Sequence, residues 1–261
     1  MIFTMQIDMK RILIAATAAL INTVGLAGDL MLWQDNSLSL LYGSNFELDP
    51  ELQQTVTFEH ASGWSKGDLF IFVDYINFNG DKDFTGSETA YYGEFAPRFS
   101  FGKILEKDLS TGIIQDVYVA TCLEFGDNVE NNRNYLVGLG FDLAIPGFDF
   151  FQLNVYRRFE AGSGSTDTYQ ITPVWKMSFP MGKTELVFDG FIDYVLGEGT
   201  DHLHICPQIK VDAGVLLGMK AKSLYAGIEY DYWKNKYAVR DGDFGLDSDQ
   251  NTFSALIKYH F

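Results

Sequence analysis

Phe70, Phe72 and Phe78 occupy alternate positions with Asp68, Asp74 and Ile76 in the stretch from Asp68 to Phe78. A period of two puts all six on one face of a strand. Aromatic rings among carboxylates offer a specific chemistry. The rings stack on a flat apolar partner, and the carboxylates accept hydrogen bonds from its polar groups. Further carboxylates recur on the polar sides of other alternating stretches: Glu59, Glu94, Asp116, Glu124, Asp189, Asp193, Glu229 and Asp231. The cations on those sides are fewer: Arg98, Arg158, Lys176, Lys210 and Lys258. In a narrow interior of low dielectric such charges must pair, because an unpaired buried charge is costly. Two uses follow, a pairing network that shapes the interior and a set of acceptors for a passing solute.

Other chemistries are poorly served. His202 and His204, two apart, put both imidazoles on one strand face, but a third metal ligand is missing from the pattern. Asp241, Asp243, Asp247 and Asp249 match no calcium-loop spacing and read as a solvated loop. A barrel hydrolase would need Ser, His and an orienting residue on the lipid-facing side near a rim. His60, beside Ser62, is the one place that offers the first two. Neither an enzyme nor a cofactor is expected. Cys122 and Cys206 are the only cysteines, so there is no disulfide framework, although a single bridge between them is possible. A net charge of −16 argues against nucleic acid as a partner.

The elements that must hold these residues are strands. From Thr252 to Phe261 the chain alternates, with Phe253, Ala255, Ile257, Tyr259 and Phe261 on one side. Thr252, Ser254, Lys258 and His260 lie on the other, with Leu256 as the apolar exception. Similar alternation predicts strands over 36–43, 53–60, 68–78, 89–101, 114–125, 134–144, 149–159, 168–179, 184–196, 203–216, 223–236 and 251–261. That is about twelve, an even number of a length suited to tilted membrane strands. Aromatic residues make up 15% of the chain, more than a core requires and suited to interfacial girdles.

Connections are expected to be tight at Ile145-Pro146-Gly147, Pro180-Met181-Gly182 and Gly218-Met219-Lys220, and somewhat longer near Gly63-Trp64 and Gly102-Lys103. Those on the opposite rim read as longer and acidic. Residues 1–27 resemble an export signal: Lys10 and Arg11, then the apolar run Ile12 to Leu20, then Gly25-Leu26-Ala27. Cleavage is expected after Ala27, leaving 28–261 as one all-β domain. That domain is expected to be either secreted and soluble or, as the alternation and the connections favour, a transmembrane antiparallel β-barrel of meander topology in a bacterial outer membrane, because only helices and closed barrels satisfy their backbone in lipid.

Within this frame a more specific likeness emerges. Glu94-Phe95-Ala96-Pro97-Arg98-Phe99-Ser100 resembles the Glu-x-x-Pro-Arg-Phe-Ser strand of the Tsx-like nucleoside-specific channels, which include the OmpK proteins. The stretch Asp68–Asp74 resembles that family's third strand. Tyr135–Gly140 with Leu153–Tyr156 resembles its next block, and Tyr259-His260-Phe261 its closing strand. The resemblance implies a narrow monomeric twelve-strand barrel through which nucleosides diffuse. Partners are then nucleosides or similar small solutes, outer-membrane lipid and lipopolysaccharide, and the barrel-assembly machinery acting on the C-terminal strand.

On this reading Phe70, Phe72, Phe78, Tyr118 or Tyr156 stacks on a base. Some of the lumen carboxylates, with Asp74, Glu94 and Asp189 as candidates, accept hydrogen bonds from ribose, and Arg98 is among the lumen charges. An acid-rich lumen disfavours phosphorylated solutes. Two alternatives use the same strands: a non-conducting barrel whose acidic loops form a docking, adhesion or phage-receptor surface, and a soluble periplasmic β-sandwich.

Overall fold

A computed structural model describes residues 30–127, 133–160, 167–197 and 199–261. The expected signal and its cleavage site lie outside the described residues. Twelve strands run in order: β1 (Met31–Ser44), β2 (Leu52–Trp64), β3 (Gly67–Asn77), β4 (Thr89–Ser100), β5 (Ile114–Gly126), β6 (Arg133–Leu143), β7 (Phe150–Glu160), β8 (Asp167–Met181), β9 (Thr184–Gly197), β10 (His202–Asp212), β11 (Leu224–Lys234) and β12 (Asn251–His260). Each pairs antiparallel with its neighbours, and β1 pairs with β12, from Ser37 opposite His260 to Ser44 opposite Phe253. The meander therefore closes into a barrel and leaves no open edge, as a strand-built membrane span requires. None of the described helices is long and apolar enough to cross a membrane.

The alternation in the sequence becomes the two faces of the wall. In β12, Thr252, Ser254, Leu256 and Lys258 are buried, while Phe253, Ala255, Ile257 and Tyr259 are exposed. In β1, Ser37, Ser39 and Leu41 are buried, and Leu38, Leu40 and Tyr42 are exposed. Apolar side chains point outward because lipid covers that face. Tyr42, Tyr75, Tyr91, Tyr135, Tyr169 and Tyr194 ring one end, and Phe99, Phe179, Tyr259 and Phe261 ring the other. These are the two aromatic girdles of a membrane barrel. The sandwich alternative fails, because a sandwich buries its oily faces and this wall exposes them.

Several connections differ from expectation. β2 continues to Trp64, so the turn into β3 is tight. The tenth connection is not tight. Asp212 ends β10, and its Oδ1 caps the short helix α1 (Ala213–Leu216) by accepting from Val215 N. Asp212 Oδ2 accepts from Lys222 N at 2.7 Å. Val215 and Leu216, read as the end of a strand, thus belong to a helical turn. β1 begins at Met31 rather than 36, because a bulge between Met31 and Trp33 breaks the alternation there. At the other rim, Lys236 ties two loops together over the β1–β12 seam. Its Nζ donates to Glu47 O at 2.9 Å, Asp49 Oδ2 at 2.8 Å and Gln250 Oε1 at 2.7 Å.

Candidate functional site

The register sends Phe70, Phe72, Asp74, Glu94, Arg98, Tyr118, Tyr156 and Asp189 to the lumen face. Thr57 sits opposite Asp74, Glu59 opposite Phe72, and Ala61 opposite Phe70. Phe72 faces Glu94, and Asp68 faces Arg98. Ser100 faces Tyr118, Gly138 faces Tyr156, and Asp189 faces Gln208. Phe78 follows β3 with the same parity, beneath the loop to β4, where its N–H donates to Glu88 O.

Four of the five lumen cations are engaged with acids. Arg98 forks onto Asp68, with Nε to Oδ1 at 2.8 Å and Nη2 to Oδ2 at 2.6 Å, and reaches Asp142 Oδ1 at 2.9 Å. Its guanidinium lies 4.2 Å over the Tyr118 ring, whose hydroxyl donates to Asp142 at 2.7 Å. Arg158 pairs with Glu124, Lys210 with Asp189 and Lys258 with Glu59. Asp189 is thus committed to Lys210 Nζ through both carboxylate oxygens.

A second group of carboxylates takes neutral donors. Asp74 accepts from the Thr57 hydroxyl at 2.5 Å, and Glu94 from the Tyr92 hydroxyl at 2.9 Å. Asp193 accepts from Gln170 at 2.9 Å and Thr172 at 2.5 Å, and Glu229 from Gln208 at 2.8 Å. A carboxylate has about four lone-pair sites. Neutral side-chain donors at 2.5–2.9 Å leave these acids capacity to accept from a solute.

The rings divide as well. Phe78, Tyr118 and Tyr156 are 1%, 3% and 5% exposed, so their faces are already covered by protein. Phe70 is 40% exposed, and Phe72 is half-buried. Phe70 and Phe72 stand 6.0 Å apart between centroids, and Phe72 and Tyr92 5.7 Å apart, so the three rings form a ladder along β3 and β4. Asp74 and Glu94 flank it, two residues after Phe72 and two after Tyr92.

A second aromatic station lies near the far ends of β10 and β11. Trp233 stacks on His204 at 3.9 Å and 12°, and Phe191 meets His204 edge-on at 5.1 Å. His204 Nε2 lies 3.1 Å from Asp231. Sequence reasoning missed Tyr92 and Trp233. Parity with Glu94 and Asp231, two residues away in each case, was the signal that could have found them. The His202/His204 pair serves this stack. Among the described residues, no three His, Cys, Asp or Glu side chains converge as a metal site. Cys122 and Cys206 are both free.

The profile of the family described as nucleoside-specific channel-forming protein, Tsx, matches residues 37–261. The chain belongs to that family. Among similar proteins, Tsx of Salmonella typhimurium is 24% identical over 97% of this chain and 100% of its own length. Outer membrane protein OmpK of Vibrio parahaemolyticus is 33% identical over 134 residues, 50% of each chain, so the match spans about half of that relative's length. Of solved structures, the NanC porin aligns with a TM-score of 0.52 at 9% identity, covering 85% of this chain and 98% of NanC. The KdgM porin aligns with a TM-score of 0.50 at 11% identity, covering 86% of this chain and 99% of KdgM. These two show the fold alone. The family and its OmpK and Tsx members place the chain in the bacterial outer membrane.

In this Tsx-family barrel the Pro-Arg-Phe-Ser element has divided duties. Arg98 anchors the lumen charge cluster, and Phe99 joins the lipid-facing girdle. Pro97 O accepts from Thr121 at 2.9 Å. Ser100 caps the short helical turn Phe101–Leu105 by accepting from Lys103 N, and donates to Asp116 at 2.6 Å.

Proposed function

We infer that this protein is a narrow outer-membrane channel that passes small solutes, most favourably nucleosides, by diffusion. No bond is made or broken in that passage. One observation carries the reading: the Phe70–Phe72–Tyr92 ladder stands on the lumen face beside Asp74 and Glu94, two carboxylates held by neutral donors. A base stacks on the ladder, and ribose hydroxyls donate to the carboxylates. Base–aromatic stacking contributes about 1–3 kcal/mol and tolerates any base. Weak repeated stations suit a channel, because tight binding would prevent release. The Trp233–His204 stack on β10 and β11 serves as a second station. The surplus of lumen acids repels phosphate, so nucleotides are excluded.

The same reading includes a signal removed after Ala27, monomeric insertion among outer-membrane lipid and lipopolysaccharide, and delivery by the assembly machinery through the aromatic end of β12. A non-conducting docking barrel is the second reading. It draws support from Phe244, 93% exposed in the loop between β11 and β12.

Liposome swelling separates the two. Proteoliposomes should swell faster in adenosine or thymidine than in a monosaccharide, and little in the corresponding monophosphates. Equal swelling in all three classes would remove the selectivity. No swelling with folded barrel present would favour docking.

A further inference from the structure

One cluster on the barrel has no part in passage. Asn36, His60 and Ser62 lie on the outer wall, since Ser37 and Glu59, their neighbours in the ladder, meet inside. Polar side chains facing lipid are costly and mark function by default. These three join in one chain. His60 Nδ1 is 2.9 Å from Asn36 Oδ1, and His60 Nε2 is 3.0 Å from Ser62 Oγ. The Trp64 indole N–H donates to Ser62 Oγ at 2.8 Å.

Indole can only donate, so the serine oxygen accepts there and its own proton is free for His60 Nε2. A neutral His60 then carries its proton on Nδ1 and donates it to Asn36. That is the order of nucleophile, base and orienting group in acyl-transfer sites. The geometry points to an esterase site here, with Ser62 as nucleophile, His60 as general base and Asn36 as positioning residue, acting on acyl esters of membrane phospholipids.

The location supplies the substrate. Asn36 O accepts from the N–H of Phe261, so the trio is level with the end of the chain and its aromatic girdle. Aromatic girdles sit at the headgroup boundary, where the acyl esters of lipids lie. Ser62 is 0% and His60 4% exposed, so the site is closed at rest. The Trp64 ring, bonded to the serine oxygen, must turn aside to admit an ester. Its N–H, released from Ser62 Oγ, is then available to donate to the anion that develops on the carbonyl oxygen.

In the first step Ser62 Oγ bonds to the carbonyl carbon as its proton passes to His60 Nε2. The carbon–oxygen bond to the alcohol breaks, and the departing oxygen takes that proton. Water then adds to the acyl carbon, giving a proton to His60 Nε2. The bond to Ser62 breaks, the serine oxygen recovers the proton, and the fatty acid leaves.

The test uses the refolded full barrel in phospholipid micelles, with a fluorophosphonate probe and a fluorogenic phospholipid. The probe should add to Ser62, located by peptide mass. Ser62→Ala and His60→Ala should lower fatty-acid release at least 100-fold while single-channel conductance stays at the wild-type value, because neither side chain faces the lumen. Asn36→Asp should retain release and move the acid limb of its pH profile upward, which a merely structural role would not do. Conducting wild-type barrel that leaves Ser62 unlabelled would overturn the assignment, as would release equal in wild type and Ser62→Ala.

Discussion

Arg98 holds the charge cluster of the lumen, and truncating it to Ala has a cost that the geometry sets. The change removes three charge-assisted hydrogen bonds, two to Asp68 and one to Asp142, and the contact over Tyr118. It leaves without their cation two carboxylates that both accept from the Arg98 Nη2 nitrogen. Breaking a buried pair by removing one partner costs about 3–5 kcal/mol. Here the arginine is 4% exposed, but the Asp68 and Asp142 side chains are 23% and 32% exposed, so water screens part of the loss. The expected destabilisation is about 2–4 kcal/mol. Urea unfolding of the barrel in micelles, followed by tryptophan fluorescence and the heat-modifiable gel shift, measures it. The triple variant Arg98→Met with Asp68→Asn and Asp142→Asn removes every charge together, and should recover to within about 1 kcal/mol of wild type. A loss below about 1 kcal/mol for Arg98→Ala, or a triple variant no better than the single, would refute the claim that this arginine neutralises a buried acidic pair.

Three further outcomes are expected. Phe72→Ala and Asp74→Ala should each weaken nucleoside block of the pore, Phe72→Ala by about 5- to 150-fold from the loss of about 1–3 kcal/mol of stacking, read from the concentration dependence of single-channel current. Gly138→Ala should lower the urea midpoint sharply, since a Cβ there would stand 1.9 Å from Val155 O in the β6–β7 ladder; an unchanged midpoint would show that the wall gives way. In the loop between β3 and β4, burial opposes ionisation of Asp83, but hydrogen bonds from the Thr85 hydroxyl and the Ser87, Thr85 and Gly86 backbone outweigh it and hold its carboxyl below the usual range. A depressed value means that stability is present above the unfolded-chain pKa and lost as pH falls through the folded one. Proteolysis at residues 79–88 by an acid-active protease should therefore rise only below the usual carboxylate range, and Asp83→Asn should remove that pH dependence.

The strands were legible because lipid and lumen impose a period of two on nearly every one, and each of the twelve overlaps the alternating stretch that predicts it. The inward turn of Phe70 and Phe72 was legible for the same reason. What escaped depends on distance along the chain. Lys258 pairs with Glu59 across the closing seam, and Arg98 with Asp68 across a hairpin. Nothing local encodes which cation meets which acid. Burial was equally hidden: Phe78, Tyr118 and Tyr156 have the parity of lumen residues, yet all three are buried. The end of β10 was misplaced because Val215 and Leu216 are apolar, and only Asp212, acting as a cap, shows that the strand has stopped.

The most direct measurement is single-channel current through the refolded barrel in planar bilayers, with adenosine, thymidine and a monosaccharide added in turn. The account predicts steady conductance that nucleosides block at concentrations where the sugar has no effect, with the block weakened in Phe72→Ala. Conductance indifferent to nucleosides, or no conductance from heat-modifiable folded protein, would contradict it.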